Sequence, residues 1–518
     1  MSGAAPGDVG NTQGAWDGAA RPAIVLITTD ELRKDALSCY GNRAVQTPHL
    51  DRLAADGVQF ERAYTASPWC LPSRASLITG LYPHNHRAYS NFRDCRLDPA
   101  RPNLYNVLQS GGYRTAHVGK CHYAPVPYGE TSAGRTLPYD AFREYYLSLG
   151  IDDLDLQDDK QVSVWFYDDY ARELDAAGHL EAYRAAVWDR SHAKVFDFPA
   201  PAEWHPDAWV GRKAVERVQH HPDGESLFLW ASFSGPHFPF DAPAEYLARV
   251  DEAEVGMGAF LEGEFDDPGR IHHTSFHGPS GGIEGAGSAP GKACKTYSDE
   301  YWRRLRRTYF ANVALIDDQV GALLAAVEDR FGENVLVLFS TDHGEMLGNH
   351  RLWGKNNCGY EDVLNVPLLA RYPAGSAGAK LHGTTQDACV MLTDVASTCL
   401  QAAGMESAMA SDGRPLHEQV ASGGRTFILA EGEGFLAISD GKTKYVTAQR
   451  GSQRGAQPVG GSGVEDDTPA AVTRYRELLD LESDPGEFYN VIGQPQYAAR
   501  HLRLAATLEA VLAEALLP

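Results

Sequence analysis

The sequence predicts an α/β protein in which a large, mostly parallel sheet is sandwiched by helices and is followed by a smaller antiparallel sheet plus a helix. Along residues 22–404, apolar runs rich in β-branched residues alternate with helical periodicity, which is typical of a parallel sheet buried on both faces. After about Gly404 the pattern changes to short strands and one final helix. The chain has 518 residues, beyond the length at which one hydrophobic core stops growing, so we expect two domains.

Each predicted element follows from its own local pattern. A continuous run of apolar and β-branched residues predicts a buried strand at 23–29, and further core strands are predicted at 227–233 and 334–340. Residues 58–60 and 113–118 are also predicted to be extended. Helices are predicted where apolar residues recur every three to four positions, at 50–56, 104–109, 210–219 and 301–329. The later strands are predicted at 426–430, 436–439 and 444–448, before a helix that begins at Ala498.

The predicted domain boundaries follow changes in composition. Residues 1–21 are polar and rich in glycine and alanine, and we expect a flexible tail there. Residues 22–404 form the predicted large α/β domain, which carries inserts at about 148–201 and 250–298. Its glycine-rich segment 278–291 predicts a mobile loop. Residues 405–518 form the predicted small α+β subdomain.

The charge balance limits the classes of partner. A formal net charge of -23 argues against nucleic acid and against anionic membranes, so an anionic substrate must be captured by a local cluster of cations. No apolar run looks long enough to span a bilayer, and residues 1–21 lack the pattern of a secretory signal. The eight cysteines are scattered without paired spacing, which suits a reducing compartment. We therefore expect a cytoplasmic protein and leave its oligomeric state open, a homo-oligomer included.

The run Cys70-Leu71-Pro72-Ser73-Arg74 places a thiol, a proline and an arginine where a helix is predicted to begin. Pro72 suits the first helical turn, and the free backbone N–H groups and the dipole at that end favour an anion. Arg74 adds a planar cation to the same spot. The run predicts an anion site with a reactive atom in it, although a buried structural thiol is the more common role of a single cysteine.

Acidic residues follow two of the predicted strands. Asp30 and Glu31 come directly after the first strand, and Asp342 and His343 follow the strand at 334–340. Because ligands collect at the carboxyl ends of strands in open α/β sheets, these side chains predict a divalent-metal site. The alternative is that Asp30 and Asp342 cap the helices that follow them.

Four further residues carry basic side chains, and three of them stand near the ends of predicted strands. Lys120 and His122 extend the strand at 113–118, and period-two alternation would place both side chains on one face. His237 stands in a loop held extended by prolines on both sides. Lys355 lies between glycine and asparagine. A solvent-exposed lysine and a structural histidine are the alternatives at these positions.

The pattern Cys70-x-Pro72-x-Arg74 resembles the core motif of the type I sulfatases of the alkaline phosphatase superfamily, and the match continues through Ser73, Leu77, Thr79 and Gly80. A second similar stretch is Glu477-Leu478-Leu479-Asp480-Leu481-Glu482-Ser483-Asp484-Pro485. The resemblance implies an alkaline phosphatase-like fold, hydrolysis of small-molecule sulfate esters, and a formylglycine nucleophile made from Cys70. It also implies a formylglycine-generating enzyme as a partner during maturation.

The resemblance further implies a role for each candidate residue. One divalent cation is expected, Ca²⁺ as is usual among sulfatases or Mn²⁺ because imidazole softens the site, with ligands from Asp30, Glu31, Cys70, Asp342 and His343. The implied catalytic residues are Cys70, Arg74, Lys120, His122, His237 and Lys355. In this scheme His122 deprotonates the nucleophile and His237 protonates the leaving group. The implied contacts to the sulfate group come from Asn91, Lys120, His237 and Lys355.

Two other functions are kept as alternatives. The first alternative is a phosphonate monoester or phosphodiester hydrolase. The pair Asp342-His343 is of the Asp-His form, which is typical of the branch with choline sulfatases and phosphonate monoester hydrolases. The pair Lys120 and His122, which those phosphonate hydrolases usually lack, favours a sulfatase. A metal-binding protein without turnover is the second alternative, if Cys70 is never oxidised.

Overall fold

A computed structural model describes residues 21–91, 95–125, 139–160, 166–187, 195–277, 294–355, 358–432, 434–447 and 476–513. Except for Arg21, the predicted tail at 1–21 lies outside the described residues, and so does the predicted mobile loop at 278–291.

The chain up to Gly404 contains eleven strands within its described part. They are β1 (Ala23–Asp30), β2 (Val58–Tyr64), β3 (Tyr113–Gly119), β4 (Asp153–Leu156), β5 (Val195–Asp197), β6 (Ser226–Pro236), β7 (Phe240–Ala242), β8 (Val335–Thr341), β9 (Asn365–Arg371), β10 (Thr384–Gln386) and β11 (Val390–Met391). Nine of them form one sheet in the order β10-β2-β9-β8-β1-β6-β3-β4, with β11 also pairing with β2. Strands β5 and β7 form a separate parallel pair.

The large sheet is parallel except at β9. Strand β1 lies at its centre, parallel to β6 on one side and to β8 on the other, with Leu26 opposite both Trp230 and Leu338. Strand β9 runs antiparallel to its neighbours β2 and β8. The prediction of a large, mostly parallel sheet is therefore confirmed.

Helices cover both faces of this sheet. They are α1 (Pro48–Asp56), α2 (Cys70–Thr79), α3 (Pro83–His86), α4 (Leu104–Ser110), α5 (Tyr139–Leu147), α6 (Asp169–Ala176), α7 (Leu180–Val187), α8 (Pro206–Gln219), α9 (Ala244–Leu247), α10 (His273–His277), α11 (Asp299–Phe331), α12 (Glu361–Leu364), α13 (Thr393–Ala402) and α14 (Leu416–Ala421). Alternate residues of β1 enter different cores: Val25 packs with α1, α8 and α11, whereas Leu26 packs with α2, α4 and α13. Burial on both faces explains why this strand is apolar without interruption.

Helix α11 is long and apolar enough, by length and composition, to cross a membrane. Its most apolar window is 67% buried inside the protein, where Ile316 and Val320 belong to the core on one face of the sheet. Because this helix is mostly buried, it is a core helix on that face of the sheet.

The last part of the chain forms an antiparallel sheet and a helix. Its strands are β12 (Ile428–Gly432), β13 (Phe435–Ser439), β14 (Thr443–Thr447) and β15 (Arg476–Asp480), paired in that order, and α15 (Ala498–Ala513) packs on β13 and β14. The predicted small sheet with a final helix is confirmed. The domain division at 404/405 stays a prediction, because residues such as Leu429 and Ile438 share one continuous core with Val25.

A buried lysine joins the small sheet to the large domain. Lys444 of β14 donates to the carbonyl oxygen of Gly359 at 2.8 Å and forms ion pairs with Glu361 at 2.8 Å and Glu487 at 2.7 Å. Its side chain is fully buried, so these contacts replace the water that an ammonium group would otherwise bind. The small sheet therefore contacts the segment that follows Lys355.

The predicted extension of β3 through Lys120 and His122 is wrong. The strand ends at Gly119, whose φ of +99° requires a glycine. A Cβ atom there would lie 1.9 Å from the carbonyl oxygen of Ser232. His122 has a φ of 49°, so the two side chains reach their positions from a turn and not from strand alternation.

Candidate active site

Cys70 is the first residue of helix α2, preceded by Trp69 in an extended conformation. All ten residues of this helix are buried, and it ends at Gly80 with a φ of 67°. Asn91 accepts a hydrogen bond at 2.9 Å from the backbone N–H of Leu71, one of the free donors of the first turn. The thiol therefore sits at a helix N-terminus inside the protein, as the sequence predicts.

Four side chains converge at the carboxyl ends of strands β1 and β8. The sulfur of Cys70 lies 3.2 Å from Nε2 of His343 and 3.7 Å from Oδ1 of Asp30. Nε2 of His343 lies 3.5 Å from Oδ1 of Asp342. Ligand atoms from Asp30, Cys70, Asp342 and His343 all lie within 4.8 Å of one another, and the four side chains are buried. Parallel neighbouring strands bring these distant parts of the sequence together.

Arg74 holds the two aspartates of this cluster in place. Its Nε donates to Oδ2 of Asp342 at 2.8 Å, and its Nη2 lies 3.5 Å from Oδ2 of Asp30. Its Nη1 donates to the carbonyl oxygen of Lys120 at 2.9 Å and to the hydroxyl of Ser232 at 2.7 Å. The guanidinium is fully buried, so its planar set of donors organises the cluster.

Asp30 is surrounded by cations. Its Oδ2 forms an ion pair with Nζ of Lys120. Burial alone would raise the pKa of Asp30, but nearby positive groups hold this pKa well below its usual value; they are Lys120, His237, Lys355 and Arg74. The carboxylate is therefore ionised and able to bind a cation.

The side chain of Glu31 points to a second group of residues. Its Oε2 lies 3.2 Å from Nζ of Lys355 and 3.4 Å from Nε2 of His237. Glu31 has a φ of 67° and belongs with Asp30 and His237 in a second group of converging ligand atoms. Burial, together with the nearby Glu345 and Asp30, raises the pKa of Glu31 well above its usual value, against the effect of Lys355.

His122 has two ring nitrogens that are buried and find no hydrogen-bond partner within the described part of the chain. Burial lowers the pKa of His122 well below its usual value, and the positive charges of Lys120 and Arg74 lower it further. The imidazole is therefore neutral and keeps a free lone pair, which is what a general base needs.

The thiol and the imidazole at the cluster are both uncharged. Burial and the charge of Asp30 raise the pKa of Cys70 to about 12. Burial lowers the pKa of His343 to about 4, and its Nδ1 lies 2.9 Å from the carbonyl oxygen of Gly344. A protonated thiol is a poor nucleophile, so an unmodified Cys70 does not supply one.

The structure thus brings together most of the predicted residues. Asp30, Cys70, Asp342 and His343 form the tightest group, and Arg74 and Lys120 contact it directly. Lys355 and His237 join it through Glu31. The side-chain amide oxygen of Asn91 accepts from the backbone N–H of Leu71 at the start of α2.

Sequence reasoning missed three polar residues at the site. Ser232 accepts from Arg74, Asp158 accepts from the backbone of His122 at 3.0 Å, and Asp159 pairs with Lys120 at 2.9 Å. Asp158 and Asp159 follow strand β4, so the rule that located Asp30 and Asp342 also applies to them.

The chain is also similar to known proteins. The sulfatase family model matches residues 22–405. An arylsulfatase of Clostridium perfringens is 25% identical over 501 residues, covering 93% of this chain and 92% of that one. The multifunctional alkaline phosphatase superfamily protein PehA of Trinickia caryophylli is 28% identical, covering 92% of this chain and 93% of that one. The chain belongs to the sulfatase family, whose members are hydrolases, and the resemblance to type I sulfatases is confirmed.

The fold is also found among solved structures. The phosphonate monoester hydrolase of Agrobacterium radiobacter superimposes with a TM-score of 0.75 at 24% identity, covering 96% of each chain. At this identity the likeness concerns the fold alone.

Proposed function

We propose that the protein hydrolyses small-molecule sulfate esters, in the manner of an arylsulfatase, with a formylglycine made from Cys70. The observation that carries this proposal is the position of the Cys70 sulfur, 3.2 Å from His343 and 3.7 Å from Asp30. A formylglycine at this position would supply a hydrated aldehyde as nucleophile, which the protonated thiol cannot replace. The arylsulfatase among the relatives supports the choice of ester.

The residues present fit one divalent cation. The carboxylates of Asp30 and Asp342 and the imidazole of His343 suit such an ion, and the oxygens of Glu31 are buried close to the carboxylate of Asp30. We assign the ion to Asp30, Asp342, His343 and residue 70, with Glu31 as an added ligand and with Ca²⁺ or Mn²⁺ as the metal. A bound ion would supply Lewis-acid chemistry by withdrawing electron density from a sulfate oxygen.

The remaining side chains supply charge and proton transfer in this proposal. Lys120 and Lys355 bind the sulfate group and balance the charge of its oxygens, while Arg74 keeps Asp30 and Asp342 aligned. His122, neutral and without a partner among the described residues, accepts the proton that residue 70 releases. His237 and Lys355 lie together beside Glu31 and serve the departing alcohol.

The test is turnover of an aryl sulfate by the protein and by Cys70→Ala, with mass spectrometry of the peptide that contains residue 70. Conversion to formylglycine lowers the peptide mass by about 18 Da, and we expect Cys70→Ala to keep the fold and lose turnover. Cys39→Ala, which changes a half-buried thiol outside the site, is the matched control and should keep turnover. Full turnover by Cys70→Ala would refute the nucleophile, and an unchanged peptide mass in an inactive protein would favour a binding protein.

A phosphonate monoester or phosphodiester hydrolase is the second candidate. The name of the relative PehA gives it more than one function within the alkaline phosphatase superfamily, which keeps this candidate in view, whereas the buried pair of Lys120 and His122 at the site favours the sulfatase. Rates on paired aryl sulfate and phenyl phosphonate substrates separate the two. A preference for the phosphonate above about a hundredfold in kcat/KM, roughly 2.7 kcal/mol of transition-state binding, would reverse the order.

A further inference from the structure

Three consecutive charged residues follow strand β4 at the carboxyl end of the large sheet. Asp158, Asp159 and Lys160 are each at most 3% exposed. The chain enters this segment through a backbone contact in which the N–H of Gln157 donates to the carbonyl oxygen of Gly119 at 3.4 Å. Buried charges need specific partners, and each of these three residues has at least one partner that leads to the candidate active site.

Asp158 fixes the turn that carries His122. Its Oδ1 accepts from the backbone N–H groups of Cys121 at 3.1 Å and His122 at 3.0 Å, while its Oδ2 accepts from the hydroxyl of Tyr146 at 2.8 Å. His122 needs such support because its φ of 49° is unfavourable for a residue with a side chain. The carboxylate therefore holds the backbone from which the imidazole projects.

Asp159 holds the side chain of Lys120. Its Oδ2 lies 2.9 Å from Nζ of Lys120, whose ammonium also pairs with Asp30. The lysine is 1% exposed, so the two carboxylates define where its charge can lie. Asp159 therefore keeps the ammonium beside the site, and the third N–H of the ammonium is left for an anion.

Lys160 supports the segment that leads to His237. Its Nζ donates to Oδ1 of Asp241 at 2.8 Å and to Oδ1 of Asn312 at 2.7 Å. The network continues as Nδ2 of Asn312 donates to Asp207 at 2.8 Å, and Asp207 accepts from the backbone N–H of Gly235 at 2.8 Å. Gly235 stands just before His237 in the chain, so this network fixes the start of the histidine's loop.

We propose that residues 158–160 form one positioning segment, in which each residue orients a different part of the active site. Asp158 orients His122, Asp159 orients Lys120, and Lys160 orients the loop of His237 through Asn312 and Asp207. The catalytic roles of His122, Lys120 and His237 in this proposal rest on the proposed function. The contacts themselves hold for any anionic ester that the site turns over.

The test compares Asp158→Asn and Asp159→Asn in the metal-loaded protein. Asp158→Asn should lower kcat about tenfold or more with KM changed less than about twofold, because a misplaced base slows the chemical step. Asp159→Asn should instead raise KM and the dissociation constant for inorganic sulfate about fivefold or more, with kcat nearly kept. Asp159→Glu should restore most of the sulfate affinity. Asp155→Asn, which changes a β4 residue paired with Arg217, is the matched control and should change neither constant.

A second measurement is independent of turnover. Hydrogen exchange of the peptide 119–124 should become faster in Asp158→Asn and stay unchanged in Asp159→Asn, because Asp158 accepts from the backbone N–H groups of Cys121 and His122, whereas Asp159 pairs with the side chain of Lys120. For the third residue, Lys160→Met should slow esters of poorly acidic alcohols more than aryl esters, because a displaced His237 impairs leaving-group protonation.

The proposal is overturned if the two asparagine variants show the same changes in kcat, KM, sulfate affinity and exchange, since that would mean a general loss of structure. Loss of stability in Lys160→Met without the leaving-group dependence would also count against it. If the wild type prefers a phosphonate, the proposed function fails, whereas the same split measured with phenyl phosphonate still supports the positioning segment.

Discussion

Nε of Arg74 and Oδ2 of Asp342 lie 2.8 Å apart, and neither side chain is exposed to solvent. The pair joins helix α2 to the residue that follows β8, and the same guanidinium reaches Asp30 and Ser232. The cation therefore aligns both aspartates next to residue 70.

Replacing this arginine should weaken metal binding. Arg74→Lys keeps the charge but loses the planar set of donors that contacts Asp342 and Asp30 together. Partners of metal ligands typically contribute 10–100-fold to metal affinity, so we expect a loss of about this size, measured by titration of the chelator-treated protein with Ca²⁺ and Mn²⁺. Arg52→Lys, on an exposed ion pair with Glu328, should bind metal like the wild type. Equal affinities for both variants would contradict the role of Arg74.

Metal removal should lower thermal stability. The buried carboxylates of Asp30 and Asp342 gain a cationic partner when the ion binds, and a ligand at a hundred times its dissociation constant stabilises the folded state by about 2.7 kcal/mol. Melting curves with and without chelator measure the effect, and adding back Ca²⁺ or Mn²⁺ identifies the ion. In Asp342→Asn the difference between the two curves should largely disappear. A chelator effect of the same size in that variant would place the metal elsewhere.

His122→Ala should remove activity with little effect on the fold. No hydrogen bond of the described residues is lost, because both ring nitrogens are without a partner there. We expect turnover to fall by about 10²–10⁴-fold, while the melting temperature stays close to that of the wild type. His220→Ala, an exposed change at the end of α8, is the control. A large loss of stability with turnover kept would show that His122 is a structural residue.

Gly119 should tolerate no side chain. In Gly119→Ala the new Cβ would lie 1.9 Å from the carbonyl oxygen of Ser232, so we expect a loss of about 3 kcal/mol or more. Gly112→Ala is matched, because Gly112 also has a positive φ, 87°, but lies in open space. Its cost should be only about 1 kcal/mol. Urea unfolding compares the two, and similar midpoints would contradict the close approach of these strands.

The stability of the protein should fall as pH rises through neutrality because of Glu487. Burial and the nearby Glu361 raise the pKa of Glu487 to about 7, against the effect of Lys444. A raised folded-state pKa favours the protonated form, so this contribution is complete below the ordinary pKa and is lost as pH passes about 7. This contribution of Glu487 to the free energy of unfolding is on the order of 2 kcal/mol.

The measurement is the melting temperature of the wild type and of Glu487→Gln between about pH 5 and pH 9. The variant keeps the ion pair of Lys444 with Glu361 and should lack most of the decline. Glu482→Gln, on the exposed pair with Lys442, should decline like the wild type. A decline unchanged in Glu487→Gln would mean that another group titrates.

The sequence predicted the central strands well, because β1 and β8 are buried on both faces and their residues are apolar without interruption. The sequence did not predict some strands that mix polar and apolar residues or contain a proline. Strand β4 reads Asp-Leu-Asp-Leu, since it lies at the edge of the sheet and its aspartates pair with Arg114 and Arg217. Strand β9 contains Pro367, which argues against a central strand. The proline is tolerated because the pairing with β2 is irregular beside it.

The candidate site was predictable where motif residues follow central strands, as Asp30 and Asp342 do. The direction of the Glu31 side chain could not be predicted. Its backbone is left-handed, which the sequence does not indicate, and this conformation turns the side chain towards Lys355 and His237. Asp158 was missed because the strand before it, β4, has the mixed sequence Asp-Leu-Asp-Leu and was not predicted. Its partners are also backbone N–H groups, which a sequence pattern does not show.

The ammonium of Lys444 limits how this enzyme can be recombined with its relatives. Chimeras that exchange the C-terminal sheet would leave the carbonyl of Gly359 and the carboxylate of Glu361 without their cation unless the graft brings an equivalent lysine. The junction between the two parts is electrostatic as well as apolar, and it lies next to the loop of Lys355. A functional chimera must therefore take the C-terminal sheet and the segment with Gly359 and Glu361 from the same parent protein.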